Sequence, residues 1–510
     1  MRFGLAVAAV LLLTTTATSA LASAPTVKAA SAGLQPAPAT AIDAKSLAVI
    51  NQALQRTQAE DAKGVLALLE PFIDSEPFKA LPPLEQGRVY YMVALAAWLT
   101  DQPKKAHRAS GHSTVLAGAS GWDWLLRLES AEADKDRDDA VYALEMLAQY
   151  YPDRLADVTT QTLAGLYNDA LRLPRGEVRQ MAVMNALLSA NWTSEDPLAD
   201  WSTPWAIHAA RLLDRQDSER AALAAKRVRD PGLLMGMRAD NRFAALVRQD
   251  PATFDIRAAY AREVEIARSR MSSPPTRSDA INIGWPLLAM GRHDEVLAIA
   301  QGVLDREARA GTARTWSSGV LELRAMALRG LGRLDEAAQA WRETTIGLDD
   351  DFMRTNAAAE LARHLIDLDQ PREALAILDT VDIAQPSMAE RVEATRVCAH
   401  AQLGETAAME AALARLEAAE PEATAFYQLA LTCAGDLDTL ADILIRRLRD
   451  PESRIYALAD VQDHPRALHQ SAYQRTADAR RAALLARPDV RAAIARVGKV
   501  QMQPYPLVIE

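Results

Sequence analysis

Aromatic residues make up only 5% of the 510-residue chain, which holds just 2 Cys and 22 Gly. So few cysteines exclude a disulfide-stapled fold. The shortage of β-branched and aromatic strand formers beside abundant helix formers argues against an all-β one. Outside the N-terminal segment, no stretch approaches the roughly 20 uncharged apolar residues of a bilayer span. Positive charge is also in deficit, with 57 Lys and Arg against 67 Asp and Glu, a net charge of −10. No basic stripe interleaved with aromatics offsets it, so a nucleic-acid partner is not expected.

Catalytic signatures are missing too. There is no Gly-x-Ser-x-Gly elbow, His-Glu-x-x-His pair, phosphate loop or dinucleotide fingerprint. The eight His stand singly. The nearer pairs, His107 with His112 and His464 with His469, are separated by about 140° around a helix, a poor arrangement for sharing a metal. The acidic clusters Asp136–Asp139 and Asp349–Asp351 lack the glycine and distal Glu of a calcium loop. No catalytic residue, metal or cofactor is therefore expected.

What is present begins with an export signal. Residues 1–22 place Arg2 before an apolar run from Phe3 to Leu13 and end in Ala20-Leu21-Ala22, the plan of a signal peptide cleaved after Ala22. With Arg far exceeding Lys, this predicts a bacterial periplasmic protein. Residues 23–40, rich in Ala, Ser, Pro and Thr, are expected to form a flexible linker. Beyond them, segments with apolar residues three and four apart are broken by short turns, which predicts helix after helix. Two longer interruptions, Asn191–Pro204 and Ser269–Asp279, stand out. Pro274-Pro275 stops any helix in the second, which is expected to be the main boundary between two superhelical halves.

A turn-plus-helix phrase recurs from Gly291 to Ala298, from Gly332 to Ala338 and from Asp369 to Leu375. Looser copies begin at Gly404 and Gly435, with echoes at Asp101–Ala106 and Asp138–Ala140. Spacings of about 31–41 residues are those of a solenoid. These residues resemble the tetratricopeptide repeat (TPR) family, whose unit is a helix pair of about 34 residues. Gly284 and Leu287 match its first-helix positions, as do Leu321, Ala325 and Leu328, with Ala337 and Trp341 on the second helix of that copy. Leu361, Ala362, Leu365 and Ala374 match in the next, Pro421 looks like a terminal proline, and Trp205, Ala209, Leu212 and Ala221 match upstream. Arg324, His208 and Arg396 depart from the pattern, standing where apolar residues belong.

The resemblance implies an all-α fold, an α-solenoid of stacked antiparallel helix pairs. The expected organisation is a divergent helical-repeat region at 41–270, TPR-like repeats at 280–450, and capping helices with a tail at 451–510. Most tryptophans are expected in the core, but the repeat register places Trp285 on the concave groove. Glu322, Met326, Arg329, Asn356, Arg363 and Asp367 face the groove by the same register. The two-Lys, two-Asn clamp with which some members grip a C-terminal carboxylate is not reproduced; only Asn356 and Arg363 lie in comparable places. Cys398 and Cys433 fall on neighbouring repeats, either bonded to each other or buried apart.

Binding is the function that such a shape makes easy. The leading expectation is a non-enzymatic scaffold or adaptor holding an envelope protein, or an extended peptide of one, along the concave groove. The alternative is a protein that binds or cleaves cell-wall glycan or peptide, with Glu129 or Glu322 as acid. Self-association through the Ala-rich helical edges is a third course.

Overall fold

The computed structural model describes residues 42–194, 200–310, 318–345, 351–381, 386–418, 424–466 and 470–505. The expected signal peptide and linker, Pro421, Trp316, His469, Asp349 and part of the Asn191–Pro204 interruption lie outside the described residues. The described chain is all-α, built from antiparallel helix pairs stacked in sequence order, and its only β pairing is two isolated bridges. It divides into two compact units, residues 1–196 and 197–510.

The recurring phrase has one conformational cause. Gly291, Gly332, Gly404 and Gly435 have φ between 71° and 80°, and Asp101 and Asp369 take the same left-handed conformation at 61° and 60°. The next N–H then returns to a carbonyl five residues back, Arg292 to Leu287, Arg333 to Leu328 and Gln370 to Leu365. That closes the helix end and reverses the chain. Glycine adopts this conformation without a Cβ penalty, and Asp is among the few other residues that tolerate it.

In the first unit, neighbouring helices pack pairwise from Ala44–Gln58 to Gly176–Ser189. Val89 and Tyr91–Ala97 are all buried, as suits a helix covered on every side. His107, on the Pro103–Thr114 helix, bridges the next two: its Nδ1 lies 3.0 Å from Asp134 and its Nε2 2.9 Å from Asp139. Arg127 donates to the same Asp139, at 2.8 Å through Nε, and to Thr114.

In the second unit, residues at the matched repeat positions are buried: Leu287, Ala325, Leu328, Ala337, Trp341, Leu365 and Ala374 share one core. Gly284 is small because Leu323 of the Ser318–Gly330 helix lies against it; a Cβ there would stand 2.6 Å from a Leu323 methyl carbon. The departures from the pattern are resolved in two ways. Arg324 pairs with Glu343, and Arg396 pairs with buried Glu393 and exposed Asp379. His208 is buried, and burial pushes its imidazole down to about 4, so that it sits neutral in an apolar place.

Ser269–Asp279 lies inside this second unit. The Ile256–Arg270 and Arg277–Ala289 helices on its two sides pack together, with Val264 and Ala267 in the same core as Ile283 and Leu287. The turn is sharp because the prolines stop one helix, and Thr276 with Asp279 caps the next.

The two ends of the second unit meet. The Arg454–Asp460 helix packs on Pro231–Ala239, Lys499 N–H donates to the Ala239 carbonyl at 3.1 Å, and Arg211 pairs with Glu452. Arg242 ties the seam, binding buried Asp240 at 2.7 Å, Asp214 at 3.0 Å and the Pro451 carbonyl at 3.1 Å.

Two predictions follow from this packing. At Gly236 a Cβ would stand 2.0 Å from the Ile455 carbonyl oxygen, whereas at Gly302 nothing lies within 4 Å. Gly236→Ala should cost about 1–3 kcal/mol in denaturant melts, while Gly302→Ala should be neutral or stabilising by up to about 1 kcal/mol. Equal effects would refute the close approach. At His107, the hydrogen bonds to Asp139 and Asp134 hold the imidazole above its ordinary value against the opposing effect of burial, with Asp136 adding attraction. Burial opposes the shift at Asp139, but its bonds to His107 and Arg127 hold the carboxyl well below the usual range. A raised His value stabilises the fold below the unfolded value near 6.5, and that contribution is lost as pH rises through the folded value. Stability in denaturant melts should therefore fall from pH 5.5 to 8, with the raised Glu129 carboxyl contributing in the same direction, and His107→Gln should remove only the His107 share of the slope, on the order of 1 kcal/mol.

Candidate functional site

The first helices of successive pairs present one stripe each to the concave face of the second unit. On Ser318–Gly330 the stripe is Glu322, Met326 and Arg329; on Asp351–Asp367 it is Asn356, Glu360, Arg363 and Asp367. Steps of three and four residues keep such side chains on one face of a helix. Arg391, Thr395 and Cys398 continue the pattern on Pro386–Leu403.

The stripes converge on a cavity of about 840 Å³. Of the groove residues read from sequence, Trp285, Glu322, Met326, Arg363 and Asp367 line it. Arg329 and Asn356 are tied to lining residues: Arg329 donates to Asp367 at 2.7 Å, and Asn356 Oδ1 accepts from Arg391 at 2.9 Å. Sequence reasoning missed Glu360, Arg391, Phe426 and Arg447, which also line the space. Glu360 and Arg391 share the spacing of the residues that were found, so extending the stripe by one helix step would have reached them.

The polar wall is paired within itself. Glu360 binds Arg363 at 3.1 Å and also Arg391, whose guanidinium lies 5.3 Å from the Phe426 ring centre. Arg447 pairs with Asp460 at 2.8 Å. The Arg329–Asp367 pair is mostly shielded from water, so removing one partner would leave the other charge costly. The partly exposed apolar side chains around these pairs are those of Trp285, Phe426, Leu429, Leu484 and Leu485. A surface with its charges mutually satisfied and its apolar groups open favours an occupant that brings apolar bulk.

Cys398 and Cys433 are joined in a disulfide between successive first helices, with Cα atoms 4.9 Å apart. Tyr473 stands over it, its hydroxyl 3.2 Å from the Cys433 sulfur. Tyr473 belongs to the Ala472–Ala486 helix, which returns across the concave face and forms the opposite wall of the cavity.

His364, beside this site, is buried and stacked on Trp341 with ring centres 3.6 Å apart. Burial, with Arg363 and Arg329 nearby, holds its imidazole well below the ordinary value, so it is neutral. Among the described residues, no group of three or more His, Cys, Asp and Glu could hold a metal ion.

The first unit has a smaller cavity of about 440 Å³, lined by Trp98, Leu128, Glu129, Glu132 and Asp157 among others. Burial pushes the Glu129 carboxyl up to about 7, and repulsion from Glu132 and Asp157 adds to the shift.

No protein-family model and no curated protein matches the chain. Solved structures that it is similar to include yeast Tom70, at 10% identity and a TM-score of 0.23 over 88% of this chain and 98% of that one. A structure of Naa15/Naa10 bound to HypK-THB is another, at 14% identity and a TM-score of 0.18 over 89% of this chain and 79% of that one. Among the described residues, no helix is long and apolar enough to cross a membrane.

Proposed function

We propose that the protein is an exported, non-enzymatic TPR-like scaffold that binds another envelope protein, or a segment of one, in the concave groove of its second unit. The observation that carries this reading is the convergence of Trp285, Glu322, Met326, Arg363 and Asp367, from three successive first helices, on one cavity with an apolar floor. The signal-like residues 1–22 support export, and on this reading the mature chain works in the periplasm.

The test is capture from crosslinked envelope extract by the tagged mature protein, with Trp285→Ala/Arg363→Ala as parallel bait. A partner retained by the parent should fall by at least about tenfold with the double variant, as expected when interface anchors worth about 1–2 kcal/mol each are lost. Equal retention by both baits, with circular dichroism unchanged, would remove the groove from the binding surface.

Glu129 favours a second reading, cleavage of cell-wall glycan. A carboxyl held near neutrality beside further carboxylates and a Trp has the makings of a general acid. Clearance of wall polymer in a zymogram, abolished by Glu129→Gln, would establish hydrolysis; absence of clearance by the folded parent would leave Glu129 a buried acid only.

A further inference from the structure

The Ala472–Ala486 helix lies in the groove without filling it. Tyr473, Gln474, Ala477, Arg480, Arg481, Leu484 and Leu485 face the cavity, at the spacing of a single helix face. Yet no residue of this helix is buried, whereas Pro488–Val497, directly after it, buries Val490, Ala493 and Ile494. The space of about 840 Å³ lies between this face and the groove wall.

Tyr473, Leu484 and Leu485 rest partly buried against the core, and polar ties at the N-terminus and middle of the helix add to their hold. Asp369, an exposed residue of a repeat turn, accepts from the backbone N–H groups of Ala472 at 2.7 Å and Tyr473 at 2.9 Å. A carboxylate there complements the positive end of the helix dipole. Further along, Arg480 donates to the Thr432 carbonyl at 2.9 Å, and Arg481 to the carbonyls of Asp460 at 2.8 Å and Gln462 at 2.7 Å. Each is a charge-assisted bond at a site open to water, which a partner helix bringing the same groups can replace. The groove thus has a receptor for a helix N-terminus, carbonyls for basic residues two to three turns on, and an apolar floor that the resident helix, with Ala at 477, leaves uncovered.

We infer that the Ala472–Ala486 helix is a self-ligand, occupying the seat of a partner's amphipathic helix that enters with its N-terminus at Asp369 and carries large apolar residues where this helix has Ala. The inference rests on the groove being the partner-binding surface and specifies what it recognises. A partner helix that fills the floor displaces the resident one, so affinity is set by the difference between the two.

The experiment replaces residues 472–486 with a Gly/Ser linker of equal length, leaving the Pro488–Val497 helix in place. Binding of a fluorescent synthetic peptide of residues 470–487, and of the same peptide carrying Ala477→Leu, is followed by anisotropy. The linker variant should bind both, the leucine peptide more tightly. The intact chain should bind at least about tenfold more weakly, because the tethered helix competes at an effective concentration on the millimolar scale. Asp369→Ala/Arg480→Ala in the full chain, which spares the core, should speed hydrogen exchange of 472–486 by about tenfold without changing that of 488–497. A folded linker variant that binds neither peptide, or exchange in 472–486 that the double substitution leaves unchanged, overturns the inference. If the linker variant captures the envelope partner no better than the parent, the self-ligand inference fails while the scaffold reading stands. If both peptides bind but neither form captures a partner, the scaffold reading fails and the helix-binding seat remains.

Discussion

At Gly236 the backbone of Pro231–Ala239 lies so close to Ile455 that only a residue without a side chain fits, and the course of the second unit follows from that contact. Helix pairs added one after another would leave an open stack with two exposed ends. Here the last pairs return to the first, and Arg242 bonds Asp214 and buried Asp240 on one side of the seam and the Pro451 carbonyl on the other. Closure fixes where the chain goes after Asp460, and so brings the Ala472–Ala486 helix over the concave face.

That return changes the chemistry of the groove. The concave stripes are charged, but Glu360, Arg363, Arg391 and Asn356 are bound to one another, as are Arg329 and Asp367. Such pairing holds the side chains in fixed positions and removes the electrostatic reason for a charged ligand to enter. What remains open is apolar surface, faced by a helix that presents Ala477 between Tyr473 and Leu484. Specificity for bulk and for helix polarity is the natural consequence, with the disulfide between Cys398 and Cys433 fixing two groove-lining helices side by side.

The repeat architecture was largely legible in the residues. Glycines at 291, 332, 404 and 435 marked chain reversals because a left-handed turn residue is a local requirement, visible without the rest of the fold. Buried positions such as Ala325, Ala337 and Trp341 followed from the resemblance of their repeat to the tetratricopeptide signature. The groove stripe was legible in part: its residues repeat every three or four positions, a spacing that Glu360 and Arg391 share, whereas Phe426 and Arg447 could be assigned only once the facing helices were in place. His208 was anomalous in sequence, and only its surroundings decide that it is buried and neutral.

The sequence by itself determined the helices, their turns and the pairing of neighbours, because these depend on contacts a few residues apart. The tertiary structure alone decided that Ser269–Asp279 is a tight turn within a unit, that residues 231–239 meet 454–460, that Cys398 reaches Cys433, and that Ala472–Ala486 crosses the groove. The meeting of residues 231–239 with 454–460 and the course of Ala472–Ala486 depend on small rotations accumulated over many repeats, and no local pattern of residues encodes their sum.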